Sequence, residues 1–236
     1  MLFDIHTHAL FSVDDGARTA EETAAILEKQ RLQSVDAMVL TPHFYPYNET
    51  DVDVFMDKIS AQFLKLKDIH NNSLPELFLG SEVYMFRGME NVSGLEKLCI
   101  GNSRYILLEL PYDKISPWCI NAIIEINLKL KLMPILAHIE RYVKVDGFKE
   151  ILALIDDGYA LAQVNATPLL HFRTRRPVLK LIKNGFVSFI ASDVHSNQTY
   201  QGINTALAVV EKKLGIEFAN KIKANFDNLY LEIKNS

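Results

Sequence analysis

Leu2-Phe3-Asp4-Ile5-His6-Thr7-His8 decides how this chain is read: a short run of strand-forming residues that ends on two imidazoles. Along an extended strand, residues two apart point to the same side, so His6 and His8 face one way and can chelate one ion. The same ending recurs. His43 follows Met38-Val39-Leu40-Thr41-Pro42, His138 follows Met133-Pro134-Ile135-Leu136-Ala137, and His195 closes the run from Val187 through Asp193 and Val194. Two further apolar runs end on acids: Leu77-Phe78-Leu79-Gly80-Ser81 on Glu82, and Tyr105-Ile106-Leu107-Leu108 on Glu109. A single buried histidine is ordinarily a hydrogen-bonded core residue. Five of them with three acids, all at strand ends, point instead to one polar cup that holds metal.

Between these runs lie segments of helical period, and alternating strands and helices predict a parallel sheet wrapped by helices. Seven strands are expected, at about Phe3–His6, Ala37–Pro42, Leu77–Glu82, Tyr105–Leu110, Pro134–His138, Ala160–Asn165 and Ser188–Ser192. Thr19 with Glu22 forms a capping box for a helix to about Ser34, and Val52, Phe55, Ile59, Phe63 and Leu66 mark the buried face of the next. Ser116-Pro117 starts a helix through Leu130; others are expected near 148–157, 175–184, 203–214 and 218–225. Gly88, Gly94 and Gly101 interrupt the alternation, and the stretch 83–101 reads as an irregular hairpin. The fold class is α/β, a barrel in which βα loops open on the carboxyl ends of the strands.

At 236 residues and 49% hydrophobic content, one domain over residues 1–236 is expected. A net charge of -4, with no basic stripe interleaved with aromatics, gives no electrostatic footprint for nucleic acid. Cys99 and Cys119 lack CxxC spacing, which fits a reducing compartment. With the first strand starting almost at Met1 and no apolar run near membrane-spanning length, the expectation is a cytoplasmic protein without membrane insertion. No GxGxxG or GxxxxGK[ST] follows a strand, so nucleotide binding has no support.

His6, His8, His43, Glu82, Glu109, His138, Asp193 and His195 make too many ligands for one tetrahedral ion, so two or three divalent ions are expected. Without a thiolate in the set, Mn2+, Fe2+ and Zn2+ are all favoured over sulfur-bound metal. Acids such as Glu109 and Asp193 can bridge ions about 3.5–4 Å apart, as two-metal hydrolases require.

Asp4-Ile5-His6-Thr7-His8 with Asp14-Asp15-Gly16, Thr41-Pro42-His43, Ala137-His138-Ile139-Glu140-Arg141-Tyr142 and Ala191-Ser192-Asp193-Val194-His195 together resemble the polymerase and histidinol phosphatase (PHP) superfamily. The DDG and HIERY elements resemble the bacterial CpsB/CapC/YwqE type of protein-tyrosine phosphatase, and the matching motifs run in order over nearly the whole chain. The resemblance implies a distorted seven-stranded β/α PHP barrel of TIM-like kind with up to three ions, Mn2+ foremost. It implies a tyrosine-phosphorylated kinase tail as substrate, on a membrane-associated bacterial kinase controlling capsule or exopolysaccharide synthesis. An oligomer is compatible with it. The same eight ligands carry over, with an acid of the DDG pair completing the third ion. Asp15 is favoured there over Asp14, and a plain turn before the first helix is the alternative.

Arg141 matches a family arginine that grips phosphate and is the expected catalytic and substrate-binding cation, because a guanidinium meets phosphate oxygens bidentately. The alternative is a surface ion pair with Glu140 or another acid. Where the family carries a second phosphate-binding arginine, this chain reads Ser196-Asn197-Gln198-Thr199-Tyr200, which makes Tyr200 a substrate-site candidate. Arg173, with Arg175 and Arg176, is a candidate source of the missing charge; a solvated basic helix start is the alternative. Phe44 and Tyr45, in Phe44-Tyr45-Pro46-Tyr47 after His43, are expected either to line a slot for the substrate ring or to pack as a loop over the barrel edge. His70 and His171 are assigned no metal. Competing functions are a histidinol-phosphate or other small phosphomonoester phosphatase, and a noncatalytic metal-containing docking module.

Overall fold

The computed structural model describes residues 1–47, 51–69, 74–197 and 202–236. Nine strands form among them: β1 (Phe3–Thr7), β2 (Ala37–Leu40), β3 (His43–Phe44), β4 (Glu76–Leu79), β5 (Glu82–Tyr84), β6 (Tyr105–Glu109), β7 (Met133–Leu136), β8 (Leu161–Asn165) and β9 (Phe189–Ala191). Where seven were expected, two are each broken in the middle, at Thr41-Pro42 and at Gly80-Ser81. Pro42 has no N–H to give a ladder. A Cβ at Gly80 would come within 3.2 Å of the Ile100 backbone, so a larger residue at that crossing of chains would push the neighbouring segment aside by a few tenths of an ångström.

All paired strands are parallel, in the orders β1-β2-β4 and β3-β5-β6-β7-β8-β9. The ring closes where Asp193 N–H donates to His6 O (2.9 Å) and His8 N–H to Val194 O (2.9 Å). The helices are α1 (Ala20–Leu32), α2 (Val52–Ile69), α3 (Pro117–Leu128), α4 (Phe148–Asp156), α5 (Ala166–Leu170), α6 (Phe172–Lys183), α7 (Ile203–Leu214) and α8 (Ile216–Asn235). Thr19 caps α1 by accepting from Glu22 N–H at 3.3 Å, while the Glu22 carboxylate accepts from Arg18 N–H at 2.7 Å. The stretch expected to be a hairpin instead holds β5 and two 3₁₀ turns, Met89–Asn91 and Leu95–Leu98, each entered through a left-handed glycine, Gly88 and Gly94. Its apolar residues Met89, Leu95 and Leu98 are buried, so they fill the place a covering helix would take.

α8 runs ten residues past its expected end at Asn225, and it covers the amino ends of the strands. Phe226 meets Phe189 at 6.1 Å between ring centroids, Tyr230 meets Phe3 at 6.0 Å, and the Tyr230 hydroxyl donates to Glu76 at 2.7 Å. Asn225 donates to Ser188 O (2.9 Å), and Glu232 accepts from Arg104 N–H (3.0 Å). With the amino ends closed, the open face of the barrel is the carboxyl one, where the βα loops converge. No helix among the described residues is long and apolar enough to cross a membrane.

Candidate active site

The strand-end residues meet at that face. Glu82, which opens β5, is the hub: its carboxylate lies 3.2 Å from His6 Nε2, 3.3 Å from His8 Nε2, 3.0 Å from His43 Nδ1 and 2.9 Å from His138 Nε2. Asp193 Oδ1 lies 3.5 Å from His6 Nε2 and 3.4 Å from His8 Nε2, and Glu109 lies 3.5 Å from His138 Nε2. Asp15 reaches toward the outer imidazoles, 3.6 Å from the Nε2 of both His43 and His195. All of these side chains but His138 form three overlapping groups: His8, Asp15, His43 and His195; His6, His8 and Asp193; and His43, Glu82 and Glu109. In each, the ligand atoms lie within 4.8 Å of one another.

The donor set fits divalent ions. Two atoms each about 2.1 Å from an ion and about 90–109° apart lie about 3.0–3.4 Å from each other, the spacing of His6 Nε2 and His8 Nε2 at 3.2 Å. Glu109 Oε2 and His138 Nδ1 are buried without a hydrogen-bond partner, a costly state for groups in a polar cluster. His6 Nδ1 pairs with Gln163 Oε1 (3.2 Å) and His8 Nδ1 with Asp14 Oδ2 (2.7 Å). Each ring is thereby oriented with Nε2 toward the cluster.

The two acids of the DDG element therefore part company. Asp14 holds His8, and its second oxygen accepts from Gly16 N–H (3.0 Å), while Asp15 faces His43 and His195. A Cβ on Gly16 would lie 1.9 Å from His8 O, so only glycine lets this turn pack beneath the ligand. His138 and Asp193 both adopt left-handed backbone (φ 34° and 53°), a strained state for residues with a Cβ. That twist turns the chain at the ends of their strands and aims both side chains inward.

Burial works against charge throughout the cup. Glu82 and Asp193 nonetheless sit below the usual carboxylate range, because the imidazoles, His6 foremost, outweigh desolvation. Glu109 is pushed up by burial and by the charge of Glu82, so the two acids share the site unequally. Glu140 is pushed up to about 7 by burial.

Arg141 stands at the rim, its Nη2 2.5 Å from Asp193 Oδ2 and its Nη1 donating to the Tyr112 hydroxyl at 3.1 Å. Its ion pair is thus with a cluster acid and not with Glu140. Tyr112 in turn donates to Glu109. Tyr45 stacks on His43 at 4.7 Å between centroids. Phe44 does not line a slot: it is buried and packs edge-on against Phe55 of α2 at 5.1 Å, because alternation on β3 turns it away from the His43 side.

Arg173 also stands apart. It borders a hollow with Phe172, Arg176 and Lys213 on the outer side of α6, whereas the inner side supplies Thr174, Pro177 and Val178 to a cleft with Arg141 and His195. Arg175 is spent on the carbonyls of Leu169 (2.6 Å) and Leu170 (3.0 Å). His171 is exposed; His70 and Tyr200 lie outside the described residues.

Residues 2–231 match the family described as capsular polysaccharide synthesis, CpsB/CapC. The chain belongs to the CpsB/CapC family. It is 31% identical over 204 residues to the putative tyrosine-protein phosphatase CapC of Staphylococcus aureus, covering 83% of this chain and 77% of the other. It is 25% identical over 238 residues to the tyrosine-protein phosphatase YwqE of Bacillus subtilis, covering 97% and 91%. Among solved structures, a chain from those of YwqE from Bacillus subtilis and CpsB from Streptococcus pneumoniae, described as unique metal-dependent tyrosine phosphatases, shares the fold with a TM-score of 0.79. That match has 23% identity and covers 100% of this chain and 95% of the other.

Within this CpsB/CapC chain, sequence reasoning passed over Gln163 and Asn165. Both sit on β8 at inward positions two apart, a signal visible in Leu161-Ala162-Gln163-Val164-Asn165. Gln163 Oε1 accepts from His138 N–H (2.8 Å), its amide donates to Asn165 Oδ1 (2.8 Å), and Asn165 donates to Asp193 Oδ2 (2.7 Å). The two amides tie His6, His138 and Asp193 together behind the ligand atoms. Tyr112 was also missed; nothing in its local sequence marks it.

Proposed function

We propose that this protein is a metal-dependent protein-tyrosine phosphatase, using Mn2+ and acting in the cytoplasm on the tyrosine-phosphorylated tail of a membrane-associated kinase that controls capsule or exopolysaccharide synthesis. One observation carries the reading: a cup of imidazoles and carboxylates with the single guanidinium of Arg141 at its rim, 2.5 Å from Asp193. Membership in a capsule-synthesis family, and relatives named tyrosine-protein phosphatases, support it.

His6, His8, Asp15, His43, Glu82, Glu109, His138, Asp193 and His195 would hold the ions. Divalent ions there supply Lewis acidity toward phosphate oxygens and lower the pKa of the attacking water. The chain's own residues do the rest. Arg141, half-exposed and already presenting two N–H directions, binds the phosphate and neutralises charge growing on its oxygens. Tyr112 holds that guanidinium and Glu109 at once, so the cation and the inner acid keep a set separation.

Tyr45, stacked on His43, offers a face to the substrate ring. A phenolate leaving group has a pKa near 10, which makes proton donation less demanding than for an alkyl ester. Neither cysteine suits nucleophilic attack: both are buried, and burial pushes the Cys99 thiol up to about 12.

The test is phosphate release by metal-stripped protein, with and without added Mn2+, from a phosphotyrosine peptide and from histidinol phosphate. Mn2+-dependent turnover that prefers the peptide is expected. Preference for histidinol phosphate would move the protein to small-ester hydrolysis, and inactivity on both with metal restored would leave a docking role.

A further inference from the structure

The two sides of α6 differ in kind. Thr174, Pro177 and Val178 line a cleft of about 580 Å3 that also contains Arg141, Asp193 and His195. Phe172, Arg173 and Arg176 face the other way, beside Lys213 at the end of α7, around a hollow of about 460 Å3. α6 carries five basic residues and no acid, on a chain of net charge -4.

Arg175 is tied to carbonyl groups, which pins the start of the helix. Among the described residues, Arg173, Arg176 and Lys213 have no acidic partner. Phe172 is 90% exposed, the most exposed large hydrophobic side chain among the described residues. A bare aromatic ring costs solubility without adding to the core, and grouped cations with no acid between them repel one another, so a complementary partner would relieve both.

We propose that this outer face of α6 docks an acidic segment of the peptide substrate while the phosphotyrosine occupies the Arg141 cleft. The inference rests on the phosphotyrosine reading above. Charge complementarity selects the partner: a segment bearing Asp or Glu meets Arg173, Arg176 and Lys213, and an apolar side chain covers Phe172. The distance is set by the helix. α6 is about 10–12 Å across, and an extended peptide advances about 3.3–3.6 Å per residue, so the acids lie about three to four residues from the phosphotyrosine. Docking of this kind speeds capture and selects substrates more than it alters chemistry.

The test uses the Mn2+-loaded protein and three phosphotyrosine peptides, identical except for acidic, neutral or lysine residues three to four positions from the phosphotyrosine. The wild type is expected to show a KM roughly tenfold lower for the acidic peptide than for the neutral one, with kcat little changed. In Arg173→Glu/Arg176→Glu that preference disappears and the lysine peptide gains, while turnover of para-nitrophenyl phosphate is unchanged. Phe172→Ser raises KM for the acidic peptide without touching charge.

Equal KM values in the wild type, or a preference that survives in the double variant, would overturn the proposal. So would Phe172-dependent binding to phosphatidylserine vesicles without any effect on peptide KM, which would give the surface to a membrane. If no peptide is hydrolysed, the phosphatase reading fails by itself. Docking is then read by fluorescence anisotropy of the unphosphorylated acidic peptide, and equal binding by wild type and double variant would sink it.

Discussion

The floor of the cup and its rim are built from the same residue types under opposite conditions. His6, His8, Glu82 and His138 are at most 1% exposed, while Asp15 is 70%, Arg141 40% and His195 35% exposed at the side chain. On the floor, every ring is held from behind by Gln163 or Asp14 or lies against Glu82. Rim groups have fewer partners and more water. A buried, braced ligand holds an ion tightly because its geometry is paid for by folding, whereas an exposed group can exchange partners as substrate arrives.

The sharpest way to break this contrast is at the hub. Glu82→Ala removes the carboxylate that touches four imidazoles, and is expected to lower turnover roughly a thousandfold and strip bound metal together. Metal content by mass spectrometry alongside phosphate release checks it; retention of full metal would refute the hub role. Arg141→Ala should keep all the metal yet lower kcat/KM roughly a hundredfold, since only phosphate handling is lost. Full activity in the metal-loaded variant would remove Arg141 from the mechanism.

Asp15→Asn tests the rim as a ligand. It is expected to cost about tenfold in activity, with part of the bound metal lost and regained at higher Mn2+. Loss of all metal would mean that the floor cannot hold ions alone and that the contrast is false.

The smallest effect concerns Glu140, whose pKa is raised by burial to about 7. Between the ordinary carboxylate range and pH 7 the native state holds a proton that the unfolded chain has released. Stability is therefore lost as pH rises through that window, and the burial penalty is complete above it. Glu140→Gln removes the penalty, so its Tm should exceed the wild type by a few °C at pH 8 and by less at pH 5.5. An equal gain at both pH values would show that charge is not the cause.

The floor was legible in the sequence and the rim much less so. His138 and the His6-Thr7-His8 pair end strand-forming runs, and strand ends in such a barrel converge on one face; Glu82 also follows such a run, but the break at Gly80-Ser81 makes it the first residue of β5. Phe44 misled because its exposure depends on where α2 packs, and Phe55 of that helix covers it. The last helix is expected to stop near Asn225 but runs to Asn235. Phe226, Leu229 and Ile233 are buried, three and four residues apart, which continues the helix. Arg173 was placed in the site by its position after β8, but a helix turns neighbouring residues about 100° apart, and Thr174 took the inner side.

Periodicity and residue type were enough to specify parallel strands with helices between them, and His, Glu and Asp side chains gathered into one mixed nitrogen and oxygen cluster. These depend on local order, which the chain carries in its spacing. Which acid of Asp14-Asp15 holds a ring and which faces the cluster, which side of α6 meets the cleft, and which amides brace the histidines were settled only by folding. Each depends on contact between segments far apart in the chain, such as Gln163 with His6, and no spacing along a sequence encodes the meeting of two distant surfaces.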